Sequence, residues 1–167
     1  HSEKDPLRML EKEESGEDDL EWEIECLKNW LRAYSQTLDY SKLHIIASNH
    51  NDFLDRFLKN VDWRKTRNKK LYLELSYIKS QGLAEKGMVN YIIDEEFKDN
   101  KYLKTYAYGE SIKMQGDWEC GLHYDKGANG SRGSIGQFKD LSTKTIGGHG
   151  HSAQRYGGAI MTPTLTK

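Results

Sequence analysis

Eleven of the fifteen glycines in this 167-residue chain fall between Gly116 and Gly158. That crowding rules out a long helix there, because each interior glycine costs a helix roughly 1 kcal/mol relative to alanine. What remains is short strands joined by tight turns, where glycine's access to positive φ is an asset. The densest part, GGHGHSAQRYGG from Gly147 to Gly158, also carries two of the six histidines.

Earlier in the chain the periodicity is different. Leu20, Ile24, Leu27, Leu31 and Tyr34 recur at steps of four and three, which makes one apolar stripe on a helix. Asp18 or Asp19 stands where it can cap the start of that helix. KLHIIAS is a short apolar run that reads as a buried strand, and the polar NHND ends it. DFLDRFLKN resumes helical spacing through Phe53, Leu54, Phe57 and Leu58. KKLYLELSYIKSQ reads as a further helix, VNYIIDEEF fits helix or strand, and from Ile112 the chain turns β-like. Helices and strands in this order imply a mixed α/β or α+β fold.

Composition narrows the partners. An apolar fraction of 36% against 31% charged residues means a well-solvated surface. The net charge of −1 gives no global positive field to attract nucleic acid, although a local basic groove is compatible with that total. The acidic stretch from Glu3 to Glu25, densest in EKEESGEDDLEWEIE, reads as a solvated helix face and loop. RKTRNKK, from Arg64 to Lys70 beside Trp63, is either a solvated helix end or a patch that follows a phosphate backbone while the indole stacks on a base. Cys26 and Cys120 form neither a ligand pair nor a disulfide framework, in keeping with a reducing cytoplasm. No signal-peptide pattern opens the chain, and no apolar run approaches the roughly 20 residues that span a bilayer, so no membrane partner is expected.

Three histidine-bearing loops share one context. Asn49 and His50 follow KLHIIAS, His123 follows GDWECGL, and His149 and His151 close KTIGGHGH. In open α/β sheets, loops at the carboxyl ends of strands form the ligand crevice. Their convergence would gather imidazoles, the commonest neutral ligands of first-row divalent ions. In an extended His-x-His both side chains leave the same face of the strand. His1 and His44 read as ordinary histidines.

These stretches resemble the calcineurin-like metallophosphoesterases. SNHND resembles that family's Gly-Asn-His-Asp/Glu element, GGHGH its closing Gly-His-x-His, and GLHYDKG its intervening strand-end histidine. HYDKGANGSRGS resembles the His-Gly-Asp-Lys-Gly-x-Asn-Gly-x-Arg-Gly stretch of a phage-encoded branch, some members of which are linked to DNA transfer or degradation. The likeness covers most of residues 43–162. It implies a four-layer αββα sandwich with a two-metal centre on its loops. The family's opening Asp-x-His and Gly-Asp-x-x-Asp/His elements are not in this sequence, and HSEKDP resembles what lies just beyond the second. The expectation is therefore the carboxyl-terminal two thirds of a longer phosphoesterase, incomplete at its N-terminus. Residues 1–42 would be its acidic segment and amphipathic helix, and residues 43–167 the part that carries the metal-site loops.

The resemblance carries over residue by residue. It implies that Asn49, His123 and His149 ligate one metal ion and His151 the other. His50 contacts the phosphate and protonates the leaving group, as a positioned histidine can, with Asp52 as its carboxylate partner. Arg132 and Lys126 are the candidate phosphate contacts, and Asp125 can orient a ligating histidine. Three positions depart from the pattern: Ser48 and Tyr124 stand where glycine is usual, and Asn51 where an acid is usual. The expected activity is metal-dependent hydrolysis of phosphoesters, in first place phosphodiesters such as DNA, in the cytoplasm, that of the host if the chain is phage-encoded. Two divalent ions are implied, with Mn2+ preferred and Zn2+, Fe or Ni2+ as alternatives; the sequence leaves a homo-oligomer open. The competing readings are a phosphomonoesterase acting on phosphoproteins, and a degenerate phosphoesterase domain kept as a binding module. Without the family's carboxylates, this chain is expected to hold metal weakly and turn over slowly.

Overall fold

The computed structural model describes residues 6–16, 19–37, 41–127 and 133–163. Its first helices are α1 (Pro6–Ser15) and α2 (Leu20–Thr37). Asp19 starts α2 by accepting a hydrogen bond from the Trp22 amide at 3.1 Å; Asp18 lies outside the described residues. The apolar stripe of α2 turns Ile24 and Leu31 inward, while its glutamates stay exposed. Next come β1 (Leu43–Ile46), α3 (Phe53–Asn60), α4 (Lys69–Ser80), α5 (Met88–Glu96) and β2 (Leu103–Tyr106). The glycine-rich region forms β3 (Lys113–Met114), β4 (Trp118–Leu122), β5 (Thr145–Gly150), β6 (Gln154–Tyr156) and β7 (Ala159–Pro163), with a 3-10 turn at Ile135–Gln137. The described residues thus form a mixed α/β fold with five α-helices and two sheets. None of the described helices is long and apolar enough to cross a membrane.

The chain divides into two compact units, His1–Ser41 with Arg56–Leu83, and Lys42–Asp55 with Ala84–Lys167, the division falling inside α3. The first unit is helical. Phe57 meets Tyr72 edge to face with ring centroids 5.6 Å apart, and the Tyr72 hydroxyl donates to the Leu58 carbonyl at 3.0 Å. Leu71 and Leu75 are the buried positions of α4.

The second unit holds both sheets. β1 pairs in parallel with β2, Leu43 opposite Leu103 and Ile46 opposite Tyr106. The four residues of β1 are half-buried rather than buried, since this sheet has two strands and β1 has a neighbour on one side only. His44 Nδ1 bonds the Tyr106 hydroxyl at 2.8 Å. VNYIIDEEF resolves as helix: the Met88 amide donates to Asp55 Oδ2 at 3.0 Å, and buried Asn90 donates to the Tyr106 carbonyl at 2.9 Å. Those bonds override the β preference of its branched residues. The second sheet has the order β3-β4-β5-β7-β6, with β4, β5 and β7 parallel. Tyr124, Phe138, Ala159 and Met161 form its buried core, flanked by Leu122 and Ile135.

Candidate metal centre

Parallel pairing decides where the histidines emerge. β4 and β5 are parallel neighbours, so their carboxyl ends lie on one edge of the sheet. His123 directly follows β4, and His149 is the penultimate residue of β5. Asn49 lies three residues beyond β1, in the same unit. Asn49 Oδ1 and His123 Nε2 are 2.9 Å apart, and His149 Nδ1 lies 3.3 Å from the same His123 nitrogen. The rings of His123 and His149 stand nearly perpendicular, with centroids 5.1 Å apart.

One proton on His123 Nε2 can serve the amide oxygen or the neighbouring ring nitrogen, but not both well. A cation serves all three atoms. Metal–nitrogen bonds of about 2.1 Å at tetrahedral angles put ligand atoms about 3.4 Å apart, so the two separations from His123 Nε2, 2.9 and 3.3 Å, are in the range of atoms that share an ion. Two imidazoles and an amide oxygen form the mixed N/O donor set that Mn2+, Zn2+ and Fe accept. Among the described residues no group of three or more His, Cys, Asp or Glu side chains is arranged to hold an ion; the third donor here is an amide. Burial lowers the His123 pKa, the Asp125 charge opposes that, and His149 and His50 reinforce it. The outcome lies below the ordinary 6.5, which favours the neutral ring that can ligate.

Two backbone features set this geometry. His149 takes φ 72°, and the register of β5 against β7 shifts between Gly147 and Gly150. A left-handed non-glycine residue costs about 1–2 kcal/mol, a strain that functional sites often hold. It also breaks the strand alternation. His151 is exposed in the bend after β5, and no hydrogen bond or ring contact among the described residues joins it to His123 or His149. The stretch that carries the His-x-His pair is therefore not a regular extended strand. The second feature is Tyr124, which takes φ 69° where the resembled stretch has glycine. Its ring is buried and stacked on Phe138, centroids 4.1 Å apart, and its hydroxyl bonds that of Thr145. Gly147 makes room for it: a Cβ there would sit 2.6 Å from the Leu122 carbonyl oxygen and from Tyr124 Cδ1.

The remaining predicted residues fall around this cluster. His50 is exposed, its ring edge-on to His123 at 6.4 Å between centroids. Ser48 and Asn51 close the turn that carries it. Ser48 Oγ donates to Asn51 Oδ1 at 2.7 Å and accepts from the His50 amide at 3.2 Å. Asp52 is exposed, and no hydrogen bond among the described residues joins it to His50. Lys126 is exposed with its ammonium 5.1 Å from the Tyr108 ring centroid. Arg132 lies outside the described residues. In the basic cluster Arg64 is held by Asp62 at 2.9 and 3.0 Å, and Arg67 lies 4.0 Å from Asp19. Lys65, Lys69 and Lys70 are exposed, as is Trp63.

Tyr108 is the residue that motif reading misses. Its hydroxyl donates to Asp125 Oδ1, and burial, that bond and the charges of Asp125 and Asp52 push its pKa well above the tyrosine norm. The only sequence signal is an aromatic beside a turn glycine, in AYGE.

No protein-family model matches the chain, and no solved structure matches it. Protein A1 of Escherichia phage T5 is similar, 34% identical over 131 residues, an alignment that covers 74% of this chain and 23% of that protein. The chain therefore spans less than a quarter of the length of that relative.

Proposed function

We propose that this chain is part of a metal-dependent phosphoesterase of the calcineurin-like kind, with a four-layer αββα plan, that hydrolyses phosphodiesters such as DNA. The observation that carries the reading is the meeting of Asn49 Oδ1, His123 Nε2 and His149 Nδ1 at the carboxyl ends of three strands. The likeness to a T5 protein is in keeping with the phage-encoded branch and with action in a host cytoplasm. Two divalent ions, Mn2+ in first place, are part of the proposal.

When bound, the ions supply charge neutralisation at the phosphate and activation of a water. Asn49, His123 and His149 would hold one of them, and His151 is implied for the other. His50 stands edge-on to His123 with its ring open to solvent, where it can hand a proton to a departing alkoxide. Lys126 offers a positive charge to a phosphate oxygen, and its ammonium lies 5.1 Å from the Tyr108 ring centroid.

The test is a Mn2+ titration of the chain by calorimetry, followed by hydrolysis of bis-p-nitrophenyl phosphate against p-nitrophenyl phosphate. Metal binding with preference for the diester supports the reading. Preference for the monoester transfers it to a phosphomonoesterase, and absence of metal binding overturns it. A second reading, a degenerate domain kept for binding, is favoured by one observation: Asn51, where an acidic partner of His50 is usual, is engaged with Ser48. Metal binding with hydrolysis of neither substrate favours that alternative.

A further inference from the structure

The helical unit carries a basic stretch that the phosphoesterase reading leaves unused. Residues 56–70 hold seven Lys or Arg against one Asp, in a chain whose total charge is −1, and all seven are exposed. Contacts gather them on one pair of helices. Phe57 of α3 meets Tyr72 of α4 at 5.6 Å between ring centroids, and the Tyr72 hydroxyl donates to the Leu58 carbonyl at 3.0 Å. The link between the helices turns back on itself, the Lys65 amide donating to the Asp62 carbonyl at 2.9 Å. Asp62 is committed to Arg64 at 2.9 and 3.0 Å, and Arg67 lies 4.0 Å from Asp19. No ion pair among the described residues engages Arg56, Lys59, Lys65, Lys69 or Lys70. Two of these stand where the opposite charge is favoured. α4 opens on Lys69 and Lys70 with no acid in its first turn, although the positive end of a helix favours carboxylates. Asn68, just before it, accepts from the Leu20 amide at 3.1 Å rather than capping α4. Beside these cations Trp63 is 43% exposed.

We propose that residues 56–70 form a binding surface for single-stranded nucleic acid, whose phosphates meet Lys59, Lys65, Lys69 and Lys70 while a base stacks on Trp63. The proposal is independent of the phosphoesterase reading: it needs no metal ion and lies in the other compact unit. Lysines without acidic partners gain most from a phosphate chain, whose condensed counterions they release. A base offers the indole a free face only where it is unpaired and unstacked, which selects a single strand over a duplex. An anionic membrane would attract the same cations. There, however, Trp63 would have to enter the interface with the Asp62–Arg64 ion pair attached beside it. Stacking covers the ring alone and leaves that pair in water. A phosphate near Lys69 and Lys70 also offsets their repulsion from the α4 N-terminus.

The test is fluorescence anisotropy of labelled oligo-dT, oligo-rU and a DNA duplex of equal length, titrated with the whole chain in EDTA so that metal plays no part. The expected result is binding of the single strands in preference to the duplex. Log affinity should fall with log salt at a slope of about −3, the value for four neutralised phosphates on a single strand. Lys65→Gln, Lys69→Gln and Lys70→Gln combined should weaken binding about tenfold or more and flatten that slope by about 2. Trp63→Ala should weaken binding about tenfold with the slope unchanged. Lys98→Gln, Lys101→Gln and Lys104→Gln combined remove the same charge from the other unit and should bind like the wild type. Every substituted side chain is exposed, so circular dichroism melts should match the wild type. Absence of single-strand binding, preference for the duplex, wild-type affinity in Trp63→Ala, or an equal loss in the second triple variant each overturns the proposal. Phosphatidylserine vesicles that capture the chain while oligo-dT does not bind it transfer the surface to a membrane. None of these outcomes bears on the Mn2+ titration, so the two readings fail separately.

Discussion

Asn49 and His123 meet at 2.9 Å across 74 residues of chain. That contact brings a loop following the two-stranded sheet to the edge of the five-stranded one within a single compact unit. It makes the candidate centre a property of tertiary structure, open to testing one ligand at a time.

Asn49→Ala, His123→Ala and His149→Ala should each weaken Mn2+ binding by about tenfold or more, at least the cost of losing an outer partner. His151→Ala, at the residue implied for the other ion, should leave the ion held by Asn49, His123 and His149 in place and lower the number of Mn2+ ions bound. Calorimetric titration of the four variants checks both statements.

Tyr124 should show its two roles separately. Tyr124→Phe keeps the stack on Phe138 but leaves the buried Thr145 hydroxyl without its partner, a cost of about 1–3 kcal/mol. Tyr124→Gly relieves the left-handed backbone but deletes the ring, and removing a buried aromatic costs about 3–5 kcal/mol. Urea denaturation should therefore rank the wild type first, phenylalanine second and glycine last.

Gly147→Ala should overpack the middle strand of the five-stranded sheet. The added methyl would meet the Leu122 carbonyl oxygen and the Tyr124 ring at 2.6 Å. The expected loss is about 1–3 kcal/mol by urea denaturation. Since Gly147 is flanked in the sheet by the strand that delivers His123, Mn2+ affinity should fall as well.

Glu119 gives a pH dependence with a definite sign. Burial by itself would raise its pKa, but hydrogen bonds from Ser111 and from the Ile112 and Gly121 amides, with the Lys113 charge, bring it below the ordinary 4.5. A depressed carboxylate stabilises the fold above its unfolded pKa, and that contribution disappears as pH falls through the folded value. Urea midpoints measured from neutral pH down to acid should decline less steeply in Glu119→Gln than in the wild type.

Local pattern made much of this legible. The stripe from Leu20 to Tyr34 is α2, the spacing of Phe53 to Leu58 is α3, and the glycine-rich region is a set of short strands. The three histidine loops were visible because each follows an apolar run. What pattern could not reach depends on long-range bonds. α5 was ambiguous because Val89, Ile92 and Ile93 suit either state, and its capping by Asp55 is a contact 33 residues away. The division that joins Arg56–Leu83 to the first helices leaves no mark in composition. The left-handed φ of His149, which departs from a regular strand just before His151, carries no mark in the sequence. Tyr108 carries no motif; its meaning comes from Asp125, on a distant loop.

Because β4 and β5 run side by side in the same direction, the gap between the His123 and His149 rings is governed by how one strand is aligned along the other. A slip of a single step would slide one imidazole about 3.3 Å along the sheet and turn it to the opposite side. Any agent that bridges the two rings therefore also clamps that alignment, and in doing so would lock the sheet against shear.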